Sequence, residues 1–260
     1  MQPFFDPGTF PRPDPALHAG TTFNGQATFS GRMCVVGLPR ADVAATLPPS
    51  LELMTGGCID PSQHPVLFVF GEQADGTLLV GGRPVPLGIR YGEFAVLVPF
   101  VRQRHGEAPH VFVARMCSAY FPATWHGNAH YGFAKTTARM RSDGPLFILS
   151  EDDDRLLLHA AVEPRGPWEP ATRTTLPTIV AVRRLFEHLP VLGRRPDGSI
   201  RCSRFGWDFS HADLRPAAGW ISIDGNLVEG LSPRLCPGVP GGTLEVRNLV
   251  WKLTWPSRCS

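Results

Sequence analysis

The sequence predicts a mainly β protein of the α+β class, forming one domain with a few short helices. Three observations favour this class. Glycine and proline occur 27 times each in 260 residues and interrupt the chain every few positions, which disfavours long helices. The segments between them are short and rich in β-branched or aromatic residues, which is typical of strands. Only two segments have a helical pattern, so strands should dominate the fold.

Eight segments have the composition of strands and are bounded by turn residues. They are 32–38, 65–70, 77–82, 93–101, 110–117, 145–150, 155–162 and 219–225. The pair 145–150 and 155–162 predicts a hairpin whose acidic turn, Glu151 to Asp154, is exposed to solvent. A calcium loop is the alternative for this turn, but the glycine and terminal glutamate of an EF-hand loop do not follow.

Two short helices are predicted. The first covers about 40–47 and is stopped by Pro48 and the proline after it. The second covers 178–189, where apolar residues recur with a helical period. The domain organisation predicted from these patterns is an N-terminal arm at 1–27 followed by a single domain at 28–260.

Composition excludes several classes of function. The chain has 25 basic and 23 acidic residues, so a net charge of +2 gives no electrostatic case for a nucleic-acid partner. No apolar run approaches the roughly 18 residues that a membrane span needs, and the first residues lack the layout of a signal peptide. Six cysteines form no C-x-x-C pair, which predicts reduced thiols and no cysteine-held zinc. We expect a cytoplasmic protein.

Lysine usage is the most unusual feature of the sequence. Only Lys135 and Lys252 are lysines, and the other 23 basic residues are arginines. Codon bias explains the excess of arginine, but a guanidinium stays protonated and cannot attack a carbonyl, whereas an ammonium can lose its proton when buried. Lys135 is therefore either a solvated surface charge or a nucleophile that arginine cannot replace.

The residues around Lys135 favour an apolar pocket. If 129–140 is extended, Tyr131, Phe133 and Lys135 share one face of the strand. Glu93 lies in a run that has no other charge between the flanking arginines, Arg90 and Arg102. It is either at the wet end of a strand or in a cavity, where it would serve as an acid or base.

Three motifs together resemble the acetoacetate decarboxylase family. "YGEF" at 91–94 is followed about forty positions later by "GNAHYGFAKTTA" at 127–138, and "GRMCVVGLPRADVAATLPPSLEL" at 31–53 precedes both. The order and spacing of a Y-x-E segment and a glycine-rich segment ending in lysine are similar to those of the family. The matching layout extends from about 28 to 165.

The resemblance implies a fold, a chemistry and a set of site residues. The fold is a set of antiparallel sheets forming a cone-like barrel around an internal cavity, in a protein that assembles into homo-oligomers. Lys135 is implied to form a Schiff base, Glu93 to be the catalytic carboxylate and Arg32 to bind substrate. We expect Tyr131, Phe133 and His130 to line the pocket. The resemblance implies neither a cofactor nor a metal, and the expected partner is a small oxo acid.

Three departures from the family pattern keep the reaction open. The second lysine of the family is Thr136 here, the Gly-Arg-Glu before the lysine is replaced by "GNAH", and the second pocket glutamate falls near Val69, with Glu72 a poor substitute. Members without the second lysine perform aldol, dehydration or cyclisation chemistry on 2-oxo acids. Decarboxylation of a 3-oxo acid through a lysine iminium is our leading prediction, and an aldolase, dehydratase or cyclase is the alternative.

Other interpretations also remain. The chain could be a non-catalytic relative that binds a small ligand, or a β-rich structural protein in which Lys135 is a surface charge. His126 and His130 have the H-x3-H spacing of a helical metal pair, but Gly127 and Asn128 between them argue against a helix. Cys117 could be a nucleophile, although a cysteine in such a strand is usually a buried apolar residue.

Overall fold

The structure is a computed structural model that describes residues 4–5, 23–55, 58–80, 82–175, 180–183 and 190–259. Within these residues the fold is one large, mostly antiparallel sheet with short helices, so the predicted mainly β fold is confirmed. The strands are β1 (Gly25–Pro39), β2 (Leu51–Leu53), β3 (Gln63–Val80), β4 (Arg83–Pro86), β5 (Tyr91–Gln103), β6 (His110–Ser118), β7 (Lys135–Thr137), β8 (Arg139–Asp143), β9 (Leu146–Ser150), β10 (Leu156–Pro164), β11 (Glu169–Pro170), β12 (Val191–Arg194), β13 (Ile200–Ser203), β14 (Phe205–Asp208), β15 (Asp213–Ile223), β16 (Arg234–Leu253) and β17 (Ser257–Arg258).

The helices of the described chain are short. They are α1 (Arg40–Ala45), α2 (Phe121–His126), a π-helical turn at Gly127–Tyr131 that continues α2, and a 3-10 turn at Ala171–Arg173. The first matches the helix predicted at 40–47. Of the helix predicted at 178–189, residues 180–183 are helical and the others lie outside the described residues. No helix in the described ranges has both the length and the apolar character that crossing a bilayer would require.

The strand predictions hold with two differences. The segments 65–70 and 77–82 are not separate, because the single long strand β3 covers both up to Val80. The sheet is also mixed, since β6 pairs in parallel with β7 and with β12, and its ladder does not close within the described residues. The predicted hairpin at 145–162 is present as β9 and β10, with exposed acidic residues at its turn.

The central strands are buried on both faces, which creates two cores. Along β5, Ala95 and Leu97 face one core, while Phe94, Val96 and Val98 face the other. Alternate residues of a strand point to opposite faces, so a continuous apolar run such as 94–101 fits a strand covered on both sides. The first core surrounds a cavity and the second packs beneath the hairpin of β9 and β10.

Only residues 4–5 and 23–27 of the N-terminal arm predicted at 1–27 are described in the structure. Residues 6–22, most of the arm predicted at 1–27, lie outside the described residues. Phe5 is buried and pairs with Cys58, and β1 begins at Gly25. The boundary at residue 27 therefore stays a prediction. The cysteines carry no disulfide, and four of the six are buried.

Candidate functional site

Lys135 lies on the wall of a cavity of about 410 Å³ and is only 6% exposed. Its Nζ donates a hydrogen bond to Oε2 of Glu93, which is 8% exposed. The two residues are 42 positions apart in sequence. They meet because β5 and β7 flank β6, with Glu93 opposite Ser118 and Lys135 beside Met116.

A hydrogen-bond chain supports the carboxylate from the other side. Gln73 donates through Nε2 to Oε1 of Glu93 at 3.0 Å, and the Trp251 indole donates to Oε1 of Gln73 at 2.6 Å. Both Glu93 oxygens therefore have donors. Gln73 was missed in the sequence because its position beside Glu93 arises only from the pairing of β3 with β5, and Gln73 belongs to no motif.

The backbone of Lys135 is fixed by an asparagine. Asn128 accepts from the Lys135 amide and donates to the Lys135 carbonyl, each at 2.6 Å, as a neighbouring strand would. Asn128 is in the π-helical turn, a form of helix that often occurs at functional sites. Gly127 leaves room for the lysine, because a Cβ there would lie 3.2 Å from Cδ of Lys135.

The conformation between the turn and β7 differs from the predicted extended strand at 129–140. Residues 127–131 are helical, and Gly132 and Ala134 have positive φ, so the strand that carries the lysine is only Lys135–Thr137, and β8 begins at Arg139. The reversal at Gly132 is packed closely against the backbone of Arg194 in β12. Tyr131, Phe133 and Lys135 still line the same cavity, although simple strand alternation is not the reason.

The aromatic side chains give the site a low-polarity environment. Lys135 Nζ lies 5.8 Å from the centroid of the Tyr91 ring, within the range of a cation–π contact. Burial, followed by the nearby Glu93 charge, raises the pKa of Tyr91, and burial raises the pKa of Tyr131 to about 12. Both phenols are therefore neutral near pH 7. The Tyr131 and Phe133 rings stack at 5.2 Å.

The two histidines occupy different positions. His126 lines the cavity, and burial, with smaller effects from His130 and Lys135, lowers the pKa of His126. His130 does not line the cavity but packs on Trp255, with ring centroids 4.8 Å apart. The sequence-based prediction that His126 and His130 do not share a helix is wrong, since both histidines lie on one continuous segment that passes from α2 into the π-helical turn. Within the described chain no group of three potential ligands is placed to hold a metal.

Arg32 does not line the cavity of Lys135. It lies on the opposite face of β1, where Nε donates to Glu245 at 3.1 Å and Nη1 donates to the carbonyl of Pro145 at 3.2 Å. Its partner across the ladder is Phe70, which belongs to the second core. No arginine is among the described residues that line the cavity of Lys135.

Thr136 also points away from the amine. Its Oγ1 lies 3.5 Å from Sγ of Cys117, which is fully buried in the second core. Burial raises the pKa of Cys117, so its thiol is protonated and unsuited to attack. Val69 lines the cavity without supplying a carboxylate, and Glu72 pairs with Arg90 at the exposed edge.

Comparisons with known proteins find similarity in structure only. No protein-family model matches the chain, and no curated protein matches it in sequence. The chain is similar to the enduracididine biosynthesis enzyme MppR complexed with pyruvate, at 16% identity and a TM-score of 0.62, covering 94% of this chain and 93% of that one.

Two further solved structures are also similar to this chain in fold. Acetoacetate decarboxylase from Legionella pneumophila is 14% identical with a TM-score of 0.58, covering 92% of this chain and 88% of that one. An acetoacetate decarboxylase-like enzyme from Sphingomonas wittichii RW1 is 13% identical with a TM-score of 0.60, covering 92% and 94%. At these identities the likeness establishes the fold alone, and it agrees with the resemblance seen in the motifs. The chain has the acetoacetate decarboxylase-like fold.

Proposed function

We propose that this protein is an enzyme that forms a Schiff base between Lys135 and the keto group of a 3-oxo acid, and then decarboxylates it. The observation that carries the proposal is the buried hydrogen bond between Lys135 and Glu93 on the wall of a mostly apolar cavity. The solved structures of similar fold, which include acetoacetate decarboxylase, support the same reaction by analogy.

The contact between Lys135 and Glu93 supplies a neutral nucleophile. Two charges held out of water are costly unless they are well paired. Transfer of one proton along the Nζ–Oε2 hydrogen bond converts the ion pair into a neutral amine and a neutral carboxylic acid. The amine can then attack a carbonyl carbon, and the carboxylic acid holds the proton that the next step needs.

Schiff-base formation balances with these two groups. The amine nitrogen of Lys135 bonds to the keto carbon and gives a carbinolamine. The C–O bond then breaks, and the oxygen leaves as water with the proton from Glu93. The products are a protonated iminium on Lys135, a water molecule and the Glu93 carboxylate, which pairs with the iminium charge.

The iminium then serves as the electron sink. The C–C bond to the carboxylate breaks, carbon dioxide leaves, and the bonding pair forms a neutral enamine on Lys135. Glu93 takes up a proton from solvent and delivers it to the enamine carbon. Water hydrolyses the resulting iminium, which releases a ketone, regenerates the neutral amine and returns one proton to Glu93.

The absence of arginine among the described lining residues favours decarboxylation over the alternative. An aldolase or dehydratase that acts on a 2-oxo acid keeps the substrate carboxylate through the reaction, and a guanidinium is the usual partner for such a group. A 3-oxo acid loses its charge as carbon dioxide, and a neutral ketone fits the apolar wall. Arg32, which could have bound a carboxylate, lies on the other face of the sheet.

Borohydride trapping tests the proposal. The protein is incubated with acetoacetate or pyruvate, reduced and read by intact mass, with peptide mapping to assign the modified amine. We expect an adduct on Lys135, carbon dioxide release from acetoacetate, and neither with Lys135→Arg. An adduct that persists in Lys135→Arg would overturn the proposal, as would binding of acetoacetate without any adduct.

Lys252 provides a matched control. It is the second lysine of the chain and lies on β16 between Trp251 and Leu253, which line the cavity while Lys252 does not. Lys252→Arg should form the adduct as the unmodified protein does. Carbon dioxide release separates decarboxylation from aldol chemistry, which would instead give a condensation product from pyruvate and an aldehyde.

A further inference from the structure

We infer that the preferred substrate is a 3-oxo acid that carries a bulky aromatic substituent on the keto carbon, and that an acid of the size of acetoacetate is a poorer substrate. This inference rests on the proposed Schiff-base function and names its substrate class. It follows from the volume of the cavity, the depth at which Lys135 lies and the chemistry of the wall.

The cavity is too large for a small acid. Its volume of about 410 Å³ lies within the ~300–1,000 Å³ range of pockets for drug-sized ligands. At ~30 Å³ per water molecule, about fourteen waters would fill it. Waters in a cavity need polar partners, and most of this wall has none, so an apolar ligand group is the better occupant.

Lys135 lies partway along the cavity, which leaves space on both sides. It is held at the level of Glu93 and Met116. Met116 pairs with Ala95, and the cavity continues past Leu97, which lies two residues, or about 6.6 Å, further along β5. In the other direction it extends toward Leu78 on β3, some five residues past Gln73.

The outer part of the cavity has an aromatic wall. Phe29 stacks on Trp207 at 6.4 Å, Phe205 stacks on Trp251 at 5.7 Å, and Phe205 meets Trp207 edge-on at 5.8 Å. Flat apolar groups pack on such rings with offset-stacked or edge-on geometry. A substituent ending in an aromatic ring matches this surface in shape and polarity.

The mouth of the cavity is also apolar. Leu87 is 41% exposed and Trp125 is 59% exposed, and both line the cavity. Contiguous apolar surface that is exposed on a protein marks binding sites for ligands or partners. The charged lining groups, Lys135 and Glu93, pair with each other, so the outer part offers no counter-charge to an ionic substituent.

A substrate series tests the inference. Rates of carbon dioxide release and of borohydride trapping are compared for acetoacetate, 3-oxohexanoate and 3-oxo-5-phenylpentanoate. We expect kcat/KM to rise about fourfold for each methylene that becomes buried, and most for the phenyl compound. Equal or falling kcat/KM along the series, with adducts still formed, would overturn the inference and leave the Schiff-base function standing.

Ala27→Phe is the variant that fills the outer part. Ala27 lines the cavity and pairs with Trp251 across β1 and β16, so a phenyl group there occupies the space proposed for the substituent. The ratio of kcat/KM for the phenyl acid to that for acetoacetate should fall at least tenfold. An unchanged ratio in a variant that melts at the wild-type temperature would contradict the inference.

A binding measurement separates the two possible failures. Calorimetric titration of the wild-type protein with 4-phenylbutan-2-one and with acetone needs no turnover. Tighter binding of the phenyl ketone supports the aromatic preference even when no adduct forms with any acid, in which case the Schiff-base function fails alone. Equal binding of the two ketones would overturn the aromatic preference.

Discussion

Two buried carboxylates on opposite faces of the sheet have different partners. Glu93 faces the cavity of about 410 Å³ and is paired with Lys135. Glu245 on β16 faces a second pocket and is paired with Arg32 and Arg215. Glu245 is 7% exposed, close to the 8% of Glu93, so burial of the acid does not distinguish the two sites.

The difference lies in the cation and in its surroundings. The guanidinium groups of Arg32 and Arg215 keep their protons, so Glu245 can only anchor strands together. Arg215 also packs over the Trp168 ring at 4.6 Å, and Arg32 binds the turn between β8 and β9. The Lys135 amine can give its proton to Glu93 and then react. Under the proposed function, a buried acid–base pair reacts only where the cation can lose its proton, which a lysine allows and an arginine does not.

Removing each acid in turn should separate the two sites, with the largest effect at Glu93. Glu93→Gln keeps the shape of the side chain but cannot accept the amine proton. Adduct formation and carbon dioxide release should slow by about 10²–10⁴-fold, the usual contribution of a general acid–base group. Rates of borohydride trapping measure this directly.

Glu245→Gln is the matched control. It leaves two arginines without their counter-charge, so the free energy of unfolding should fall by about 3 kcal/mol in denaturant titration. Adduct formation should stay within a few-fold of wild type. If Glu245→Gln lost adduct formation to the same extent as Glu93→Gln, the proposed difference in role between the two carboxylates would be wrong.

His64 extends the comparison to a buried base with no acidic partner. Its Nε2 bonds the Pro99 carbonyl at 2.8 Å, and burial lowers the pKa of His64 to about 4. Because the folded pKa lies below the unfolded value near 6.5, protons bind the unfolded chain more tightly. Stability should therefore fall as pH drops from about 6.5 to 4, by up to about 3 kcal/mol from this residue.

The variant His64→Gln isolates that contribution from the carboxylates that titrate in the same range. The difference in unfolding free energy between wild type and variant should depend on pH below 6.5 and be constant above it. A difference that is independent of pH throughout would show that His64 does not titrate in this way.

Substitution of Gly132 tests whether packing against β12 positions the segment that leads into Lys135. Its φ of +69° costs a side chain roughly 1–2 kcal/mol, and a Cβ would lie 2.8 Å from the Arg194 backbone. Gly132→Ala should lower stability by more than that strain and also slow adduct formation. Gly198→Ala is the control, since Gly198 has φ of +80° and open space around it. Equal losses for the two variants would rule out the contact with β12 as a cause.

Thr136→Lys should have the smallest effect on the chemistry. The side chain at 136 faces Cys117 and not the amine, so an added ammonium there does not approach Lys135. We expect the adduct to form at a rate within about threefold of wild type, with stability lowered by the charge placed against the second core. A tenfold faster adduct would show that the two side chains interact after all.

Eight strand segments followed from the sequence because local pattern decides them, but β12 to β14 and the long strand β16 were not predicted. The run at 93–101 has the length and composition of a strand covered on both faces, and β5 occupies it. The conformation of 127–134 did not follow, since helix, π-helical turn and positive φ there depend on packing against β12 and on the side chain of Asn128.

Arg32 shows why the candidate site was only partly predictable. Side chains on a strand alternate between faces, so an uncertainty of one residue in matching a motif moves a side chain to the other side of the sheet. Met33, the next residue, belongs to the core that surrounds the cavity. Gln73 carried no signal at all, because its relation to Glu93 exists only across paired strands.

The sequence by itself determined the mainly β fold, the exceptional lysine at 135 and the isolated acid at 93, because composition and periodicity are local properties. Only the tertiary structure decided that these two side chains share one hydrogen bond, that Arg32 and Arg215 lie on the other face and that the cavity wall is aromatic. Those facts depend on strand register, which brings together residues far apart in the sequence, such as Arg32 and Glu245, which are 213 positions apart.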